Sequence, residues 1–271
     1  SSGESVQAML NAAIEKFGYP LVIKPIDGNH GKGNTTNITN REQAIKAFEA
    51  AKHYSRSVIV ERFITGFDFR CLVINYKFIC AALRTPASVV GDGEHDLQWL
   101  IEETNKDPRR GYGHEKVLTQ ITIDQFTQKM LDDAGVTLQH IPAKGELFLL
   151  KPTANLSTGG TSSDVTDEVH PANVFMFERI ARIIGLDICG IDVMATDLRT
   201  PVSENGGAIL EVNAAPGFRM HIEPAEGLPR NVAEPVVDML FPKGSAGRIP
   251  IIAVTGTNGK TTVATLLWNL F

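Results

Sequence analysis

The segment EVNAAPGF, residues 211–218, sets a carboxylate and an amide two positions apart on an apolar run that Pro216 and Gly217 bring to a stop. Alternate residues of a strand project to the same side of a sheet, so Glu211 and Asn213 point together while Val212 turns away. Two oxygen donors side by side suit a hard cation such as Mg²⁺, which takes oxygen ligands and keeps part of its shell for substrate phosphates. A further carboxylate is needed nearby. The strand-like CGIDVMATD precedes AILEVNAAP across the turn-rich LRTPVSENGG, and as its partner strand it offers Asp192. Asp192, Glu211 and Asn213 are the expected metal ligands. A second group of residues points to an anion. IPIIAVTGTNGKTTVATLLWNLF runs an apolar strand into Gly256, Thr257, Asn258, Gly259, Lys260, Thr261 and Thr262 and then into a helix. Backbone N–H groups, the helix N-terminus and the Lys260 ammonium would converge there on one phosphate.

The elements that must carry these groups alternate between apolar runs and helical periodicity, which is an α/β or α+β pattern. Val6, Leu10, Ala13, Ile14 and Phe17 predict a helix ending at Gly18, followed by the strand YPLVIKP. DGNHGKGNT then reads as a glycine-rich hairpin loop leading into TTNI. Asn40, with Gln43 three residues on, predicts a capped helix before the strand SVIVERFI. FRCLVI and FICAAL are two further strands joined by the turn NYK. Residues 88–140 predict helices over 96–105 and 124–134 but no strands, and LKPTANLSTGGTSSDVT reads as a long polar loop. A helix from Pro171 to Gly185 leads to the strand pair that holds Asp192, Glu211 and Asn213.

With 271 residues, 43% hydrophobic and 21% charged, the chain can bury a substantial core and make one or two domains. A net charge of −5 with no basic block argues against a nucleic-acid surface, so phosphate binding has to be local. No apolar stretch reaches the roughly 20 residues of a membrane span. Cys71, Cys80 and Cys189 sit in apolar runs without CxxC spacing, which predicts buried thiols and a cytoplasmic protein. The opening SSGESVQAML has neither a basic region nor an initiator Met, so a segment of a longer chain is expected.

Loop, strand order and oxygen claw together resemble the ATP-grasp ligases, which join a carboxylate to an amine at the expense of ATP. The resemblance covers about residues 10–240 and implies an α+β fold of antiparallel sheets with packed helices, in which two subdomains clasp ATP. It places Lys24 and Gly28, Gly31 and Gly33 against the ATP phosphates, where glycines admit backbone N–H groups and the lysine supplies a point charge. It assigns Glu61, Arg62, Phe63 and Ile64 to an adenine hinge, and Asp68 to the ribose hydroxyls, although an aspartate here is shorter than the family's commoner glutamate. Arg84, Lys151 and Asn155 with Gly159 and Gly160 are candidates for grounding the transferred phosphoryl group or the acceptor. Arg219 and His221, directly after the metal strand, are candidates for the acceptor's carboxylates. A purely structural role is the competing reading for each of these seven residues.

The G-T-N-G-K-T motif departs from GxxxxGK[ST], since Val254 stands where the first glycine belongs, and in its shorter form resembles the Mur ligases. The expected organisation is an ATP-grasp domain over 1–248, with a lid over 19–90 and a metal-binding part over 140–241. Residues 249–271 then begin a Mur ligase-like domain. That arrangement resembles the bifunctional ligases that build a multi-arginyl poly-aspartate polymer. It implies ATP and Mg²⁺ as cofactors, aspartate, arginine and the growing polymer primer as substrates, and a homo-oligomer. The competing functional readings are another ATP-grasp peptide or amino-acid ligase and a nucleotide-binding regulatory module without turnover.

Overall fold

The computed structural model describes residues 2–27, 33–113, 115–245, 247–248 and 251–270, with side chains from Ala8 onward except Met9. They form two compact units, Ser1–Val232 and Ala233–Phe271.

The first unit starts with α1 (Ser2–Phe17), β1 (Leu21–Pro25), β2 (Thr35–Ile38), α2 (Arg41–Lys52) and β3 (Val58–Arg62). The three strands make an antiparallel sheet in the order β2-β1-β3. Leu21 and Ile23 are fully buried with Ala44, Ala47 and Phe48 of α2 and Leu10 of α1, so the helices cover one face. Val22 and Lys24 alternate to the opposite face. Asn40 caps α2 by accepting the Gln43 N–H at 3.0 Å, while Gln43 Oε1 reaches back to the Thr39 N–H at 2.9 Å, one residue short of a standard capping box.

The second sheet takes β4 (Phe67–Ile74), β5 (Lys77–Thr85), β10 (Thr161–Asp164), β11 (Ile188–Ala195) and β12 (Ala208–Asn213), in the order β10-β5-β4-β11-β12 and antiparallel throughout. Asn75 and Tyr76 both have positive φ, 51° and 59°, the type I′ turn whose twist matches a hairpin. Phe69, Cys71, Val73, Ala81, Ile191 and Val193 bury one face against Phe177 and Ala181 of α5 (Pro171–Ile184). All three cysteines are free and buried.

Between β5 and β10 in sequence lie β6 (Ser88–Val90), α3 (Leu97–Thr104), β7 (Arg110–Gly111), β8 (Leu118–Thr119), α4 (Gln125–Ala134) and β9 (Leu147–Leu149). The two helices fall where expected, capped by Asp96 and Asp124. The expectation of no strands is corrected: β6 pairs β9 and β7 pairs β8, but segments of two or three residues carry no readable period. Likewise the polar loop ends in a strand, β10, whose contacts are polar. Ser162 is only 1% exposed and donates to the Met220 carbonyl at 3.2 Å. The short α6 (Arg219–Ile222) packs on β10 and β5.

The second unit holds α7 (Ala233–Leu240) and α8 (Lys260–Leu270). The strand expected before the Gly256 loop is absent among its described residues, 251–255, and Ile251 is 85% exposed. A strand needs a partner for its backbone donors and acceptors, and no described segment supplies one. Among the described residues no helix is long and apolar enough to cross a membrane.

Candidate functional site

The face of the five-stranded sheet opposite α5 carries the charged residues. Register places Asp192 directly across from Arg70 on one side and Glu211 on the other, with Gly190 across from Asn213. Asp68 lies across from Arg84, and Arg84 across from Ser162. The pairing shifts between Asp192 and Val193, which is a bulge on β12. The bulge lets Ile209 and Val212 both pack into the core while Glu211 stays on the charged face.

Asp192, 5% exposed, is held by both arginines. Arg70 donates Nε to Oδ1 and Nη2 to Oδ2 at 3.1 Å, and Arg84 Nη2 lies 3.1 Å from Oδ2. Two guanidinium groups neutralise a carboxylate whose burial alone would be costly. Glu211 is exposed and accepts Asn213 Nδ2 at 3.1 Å. Among the described residues no three His, Cys, Asp or Glu side chains gather. The expected set instead combines two carboxylates on paired strands with an amide, an all-oxygen donor set that a hard divalent cation accepts and a soft one does not. The residues therefore fit Mg²⁺.

Arg70 was not visible as a site residue in the sequence, nor was Gly190. A Cβ on Gly190 would stand 3.0 Å from Arg70 Cδ and 2.8 Å from Pro216 Cβ, so only glycine leaves room for the guanidinium to cross the strand. His221 completes this wall from α6. It is 2% exposed and neither ring nitrogen has a hydrogen-bond partner among the described residues. Burial, reinforced by the positive charge of Arg70, pushes its pKa down to about 4. The folded state thus holds His221 neutral where the unfolded chain would protonate it. The resulting stability is complete above pH 6.5 and is lost as pH falls toward 4, by about 3 kcal/mol. Denaturation midpoints measured across that window should show this slope, and His221→Phe should flatten it.

The expected ribose ligand, Asp68, is paired across the sheet with an arginine. Arg84 donates Nε and Nη2 to Asp68 Oδ1 at 3.0 and 2.5 Å, and this cross-strand pair commits Asp68 to the charged face. Burial still holds its carboxyl above the usual range, with Arg84 only partly offsetting it. Lys24 and Glu61 meet instead on the uncovered face of the three-stranded sheet, 2.7 Å apart and both solvent-accessible. Gly28 and Gly31 lie outside the described residues, and Gly33 sits against the Tyr54 ring. In the hinge segment, the Phe63 N–H is taken by the Pro20 carbonyl at 2.9 Å, so Phe63 has no donor for a base edge, while Arg62 ends β3 and Ile64 follows it. Gly66, with φ 146°, then lets the backbone pass Ala195 at the end of β11, where a Cβ would stand 2.5 Å from the carbonyl. The hinge is thereby tied to the strand that carries Asp192.

Lys151 is 2% exposed and enclosed by the fold. Its Nζ meets Asp124 Oδ1 at 2.6 Å, the Thr122 carbonyl at 2.9 Å and Thr127 Oγ1 at 2.9 Å, which uses all three ammonium donors to tether α4. Lys151→Met should cost about 2–4 kcal/mol by stranding these partners, and ATP affinity measured on the same variant should not change. Asn155 starts a 3-10 turn, accepting the Gly160 N–H through its carbonyl, and Arg219 donates Nη1 to the Lys116 carbonyl at 3.1 Å. Neither is brought to Asp192 by any described contact. In the second unit, Gly256, Thr257, Asn258 and Gly259 lead into α8, whose first residues are Lys260, Thr261 and Thr262. Lys260 Nζ folds back onto the Gly256 carbonyl at 2.5 Å.

Residues 2–92 match the family described as D-ala D-ala ligase C-terminus. The chain is 54% identical over 263 residues to cyanophycin synthetase of Trichormus variabilis, covering 97% of this chain and 29% of that protein. It is 52% identical over 256 residues to cyanophycin synthetase of Synechocystis sp., covering 94% and 29%. Among solved structures, a bifunctional glutathione synthetase from Pasteurella multocida superposes with a TM-score of 0.64 at 34% identity, over 86% of this chain and 32% of that one. The chain thus spans less than a third of the length of each of these relatives.

Proposed function

The chain has the α+β ATP-grasp fold and resembles cyanophycin synthetases along nearly its whole length, and on that basis we propose that it is the nucleotide- and metal-binding part of an ATP-dependent carboxylate–amine ligase. The observation that carries this reading is the row Arg70, Asp192 and Glu211 across three adjacent strands, with Asn213 and Arg84 on the same face. Glycine loop and Lys24 would hold the nucleotide from the other sheet. Asp192, Glu211 and Asn213 would hold Mg²⁺, which supplies charge neutralisation at the terminal phosphates of ATP. A carboxylate oxygen of the acceptor attacks the γ-phosphorus and ADP leaves, giving an acyl phosphate. The amine of the incoming amino acid then attacks the acyl carbon, loses a proton to solvent and expels phosphate. Arg70 and Arg84, already at the carboxylate cluster, stabilise the charge on the transferred phosphoryl group.

The acceptor is the C-terminal carboxylate of a poly-aspartate backbone and the amine is aspartate. The motif at Gly256–Thr262 serves a second ATP-dependent ligation that attaches arginine to the aspartate side chain. In the full-length protein, ADP formation should require aspartate together with a primer ending in an arginylated residue. ADP release at the same rate with either one omitted would contradict the assignment.

A further inference from the structure

The charged face of the five-stranded sheet holds one carboxylate that the ligase reading leaves without a role. Asp68 lies two residues before Arg70 on β4 and, like it, projects to the side that carries Asp192. Diagonal neighbours across two strands stand about 7–8 Å apart, so Asp68 is close to the cation-binding residues without joining them. Arg84 links the two carboxylates. Its Nη2 is 2.5 Å from Asp68 Oδ1 and 3.1 Å from Asp192 Oδ2, and its Nε donates to the same Asp68 oxygen at 3.0 Å. The Arg84 side chain is 9% exposed and that of Asp68 23%, so the pair is mostly shielded from water and its charges act at close range. Beyond burial and Arg84, which act on it most, Asp68 feels the charges of Asp192 and Arg70.

The balance of charge gives this contact a consequence. A hard dication is held by negative oxygen donors, and Asp192 and Glu211 provide two charges. Arg70 and Arg84, both in contact with Asp192, match them with two positive ones. Asp164 shares the face but is taken by Arg230, whose Nε and Nη2 lie 3.0 and 2.5 Å from its Oδ2. Among the residues described on these strands, Asp68 is the carboxylate that tips the balance to negative. It does so through the guanidinium that would otherwise rest on Asp192 alone.

We propose that Asp68 is a positioning residue for the metal site: it holds Arg84 and offsets its charge, so that Asp192 and Glu211 keep the net negative charge a dication needs. The proposal rests on the ligase reading above. Mn²⁺ suits the same oxygen donors as Mg²⁺, and its spin resonance signal counts the free ion, so it can be titrated into the 271-residue chain without nucleotide. Asp68→Asn keeps an acceptor oxygen for Arg84 and removes only the charge; it should weaken Mn²⁺ about tenfold. Asp68→Glu, which keeps the charge, should bind like the parent. Arg84→Gln should tighten Mn²⁺, and combining it with Asp68→Asn should bring the affinity back to that of the parent. This second comparison, in which no charge of the pair is left unmatched, carries the test if Asp68→Asn alone does not fold. Unchanged affinity in Asp68→Asn, or a double variant that binds as tightly as Arg84→Gln, would overturn the proposal. A role for Asp68 confined to the nucleotide's ribose gives the first of these results, with ATP binding alone weakened. Glu211→Gln marks the site: Mn²⁺ binding that it leaves unweakened would count against the ligase reading itself, whatever the Asp68 variants did.

Discussion

Glu211→Gln is expected to lower aspartate addition by about a thousandfold or more while leaving the melting temperature within about 2 °C of the parent. The two effects separate because of where Glu211 sits. Its side chain is exposed and its one described partner is Asn213 Nδ2, which a glutamine carbonyl can accept equally well. Folding therefore loses almost nothing, as for most exposed substitutions. Catalysis loses a formal charge that a hard cation requires from its ligands, and about 4 kcal/mol of transition-state stabilisation corresponds to the thousandfold loss. Initial rates of ADP formation at saturating Mg²⁺, set beside thermal denaturation, give both numbers. A variant that kept its rate would place the cation elsewhere.

Lys260→Ala in the full-length protein is expected to abolish arginine addition, by a hundredfold or more, with aspartate addition retained. A lysine that neutralises developing phosphate charge contributes a few kcal/mol at its own site, and a separate site responds little. In this structure the Lys260 ammonium rests on the Gly256 and Thr257 carbonyls of its own loop. Supplying one amino acid at a time, with a primer ready for that addition, follows each half-reaction. Loss of aspartate addition with arginine addition intact would reverse the two assignments, and survival of both would remove the phosphate role of the motif.

The oxygen claw was legible because its logic is local: residues i and i+2 of a strand share a face, and Pro216 and Gly217 mark where that strand ends. The strands and helices with full periods were legible for the same reason. Arg70 was not, since within FRCLVI a lone arginine looks like a strand end. Only the pairing of β4 with β11, between residues 122 apart in the chain, sets it on Asp192. The Asp68–Arg84 pair was hidden for a different reason: it depends on the register of the β4–β5 hairpin, which the spacing of apolar residues leaves open. The partners of Lys151 were not legible, because they are contributed by α4, about two dozen residues earlier in the chain, where Thr127 accepts from its ammonium. β10 was missed because TSSD buries hydroxyls rather than methyl groups, and hydrophobic periodicity is blind to that.

The face formed by Arg70, Arg84, Asp192, Glu211 and Asn213 is where we propose that a carboxylate is activated as an acyl phosphate. Primer carrying ¹⁸O in its C-terminal carboxylate tests it in one turnover with aspartate and Mg·ATP. Attack of that carboxylate on the γ-phosphorus moves one labelled oxygen into the phosphate that the amine later expels. ADP with singly labelled phosphate is expected from the parent protein and none from Glu211→Gln. Unlabelled phosphate accompanying the new amide bond, or AMP with pyrophosphate in place of ADP, would contradict it.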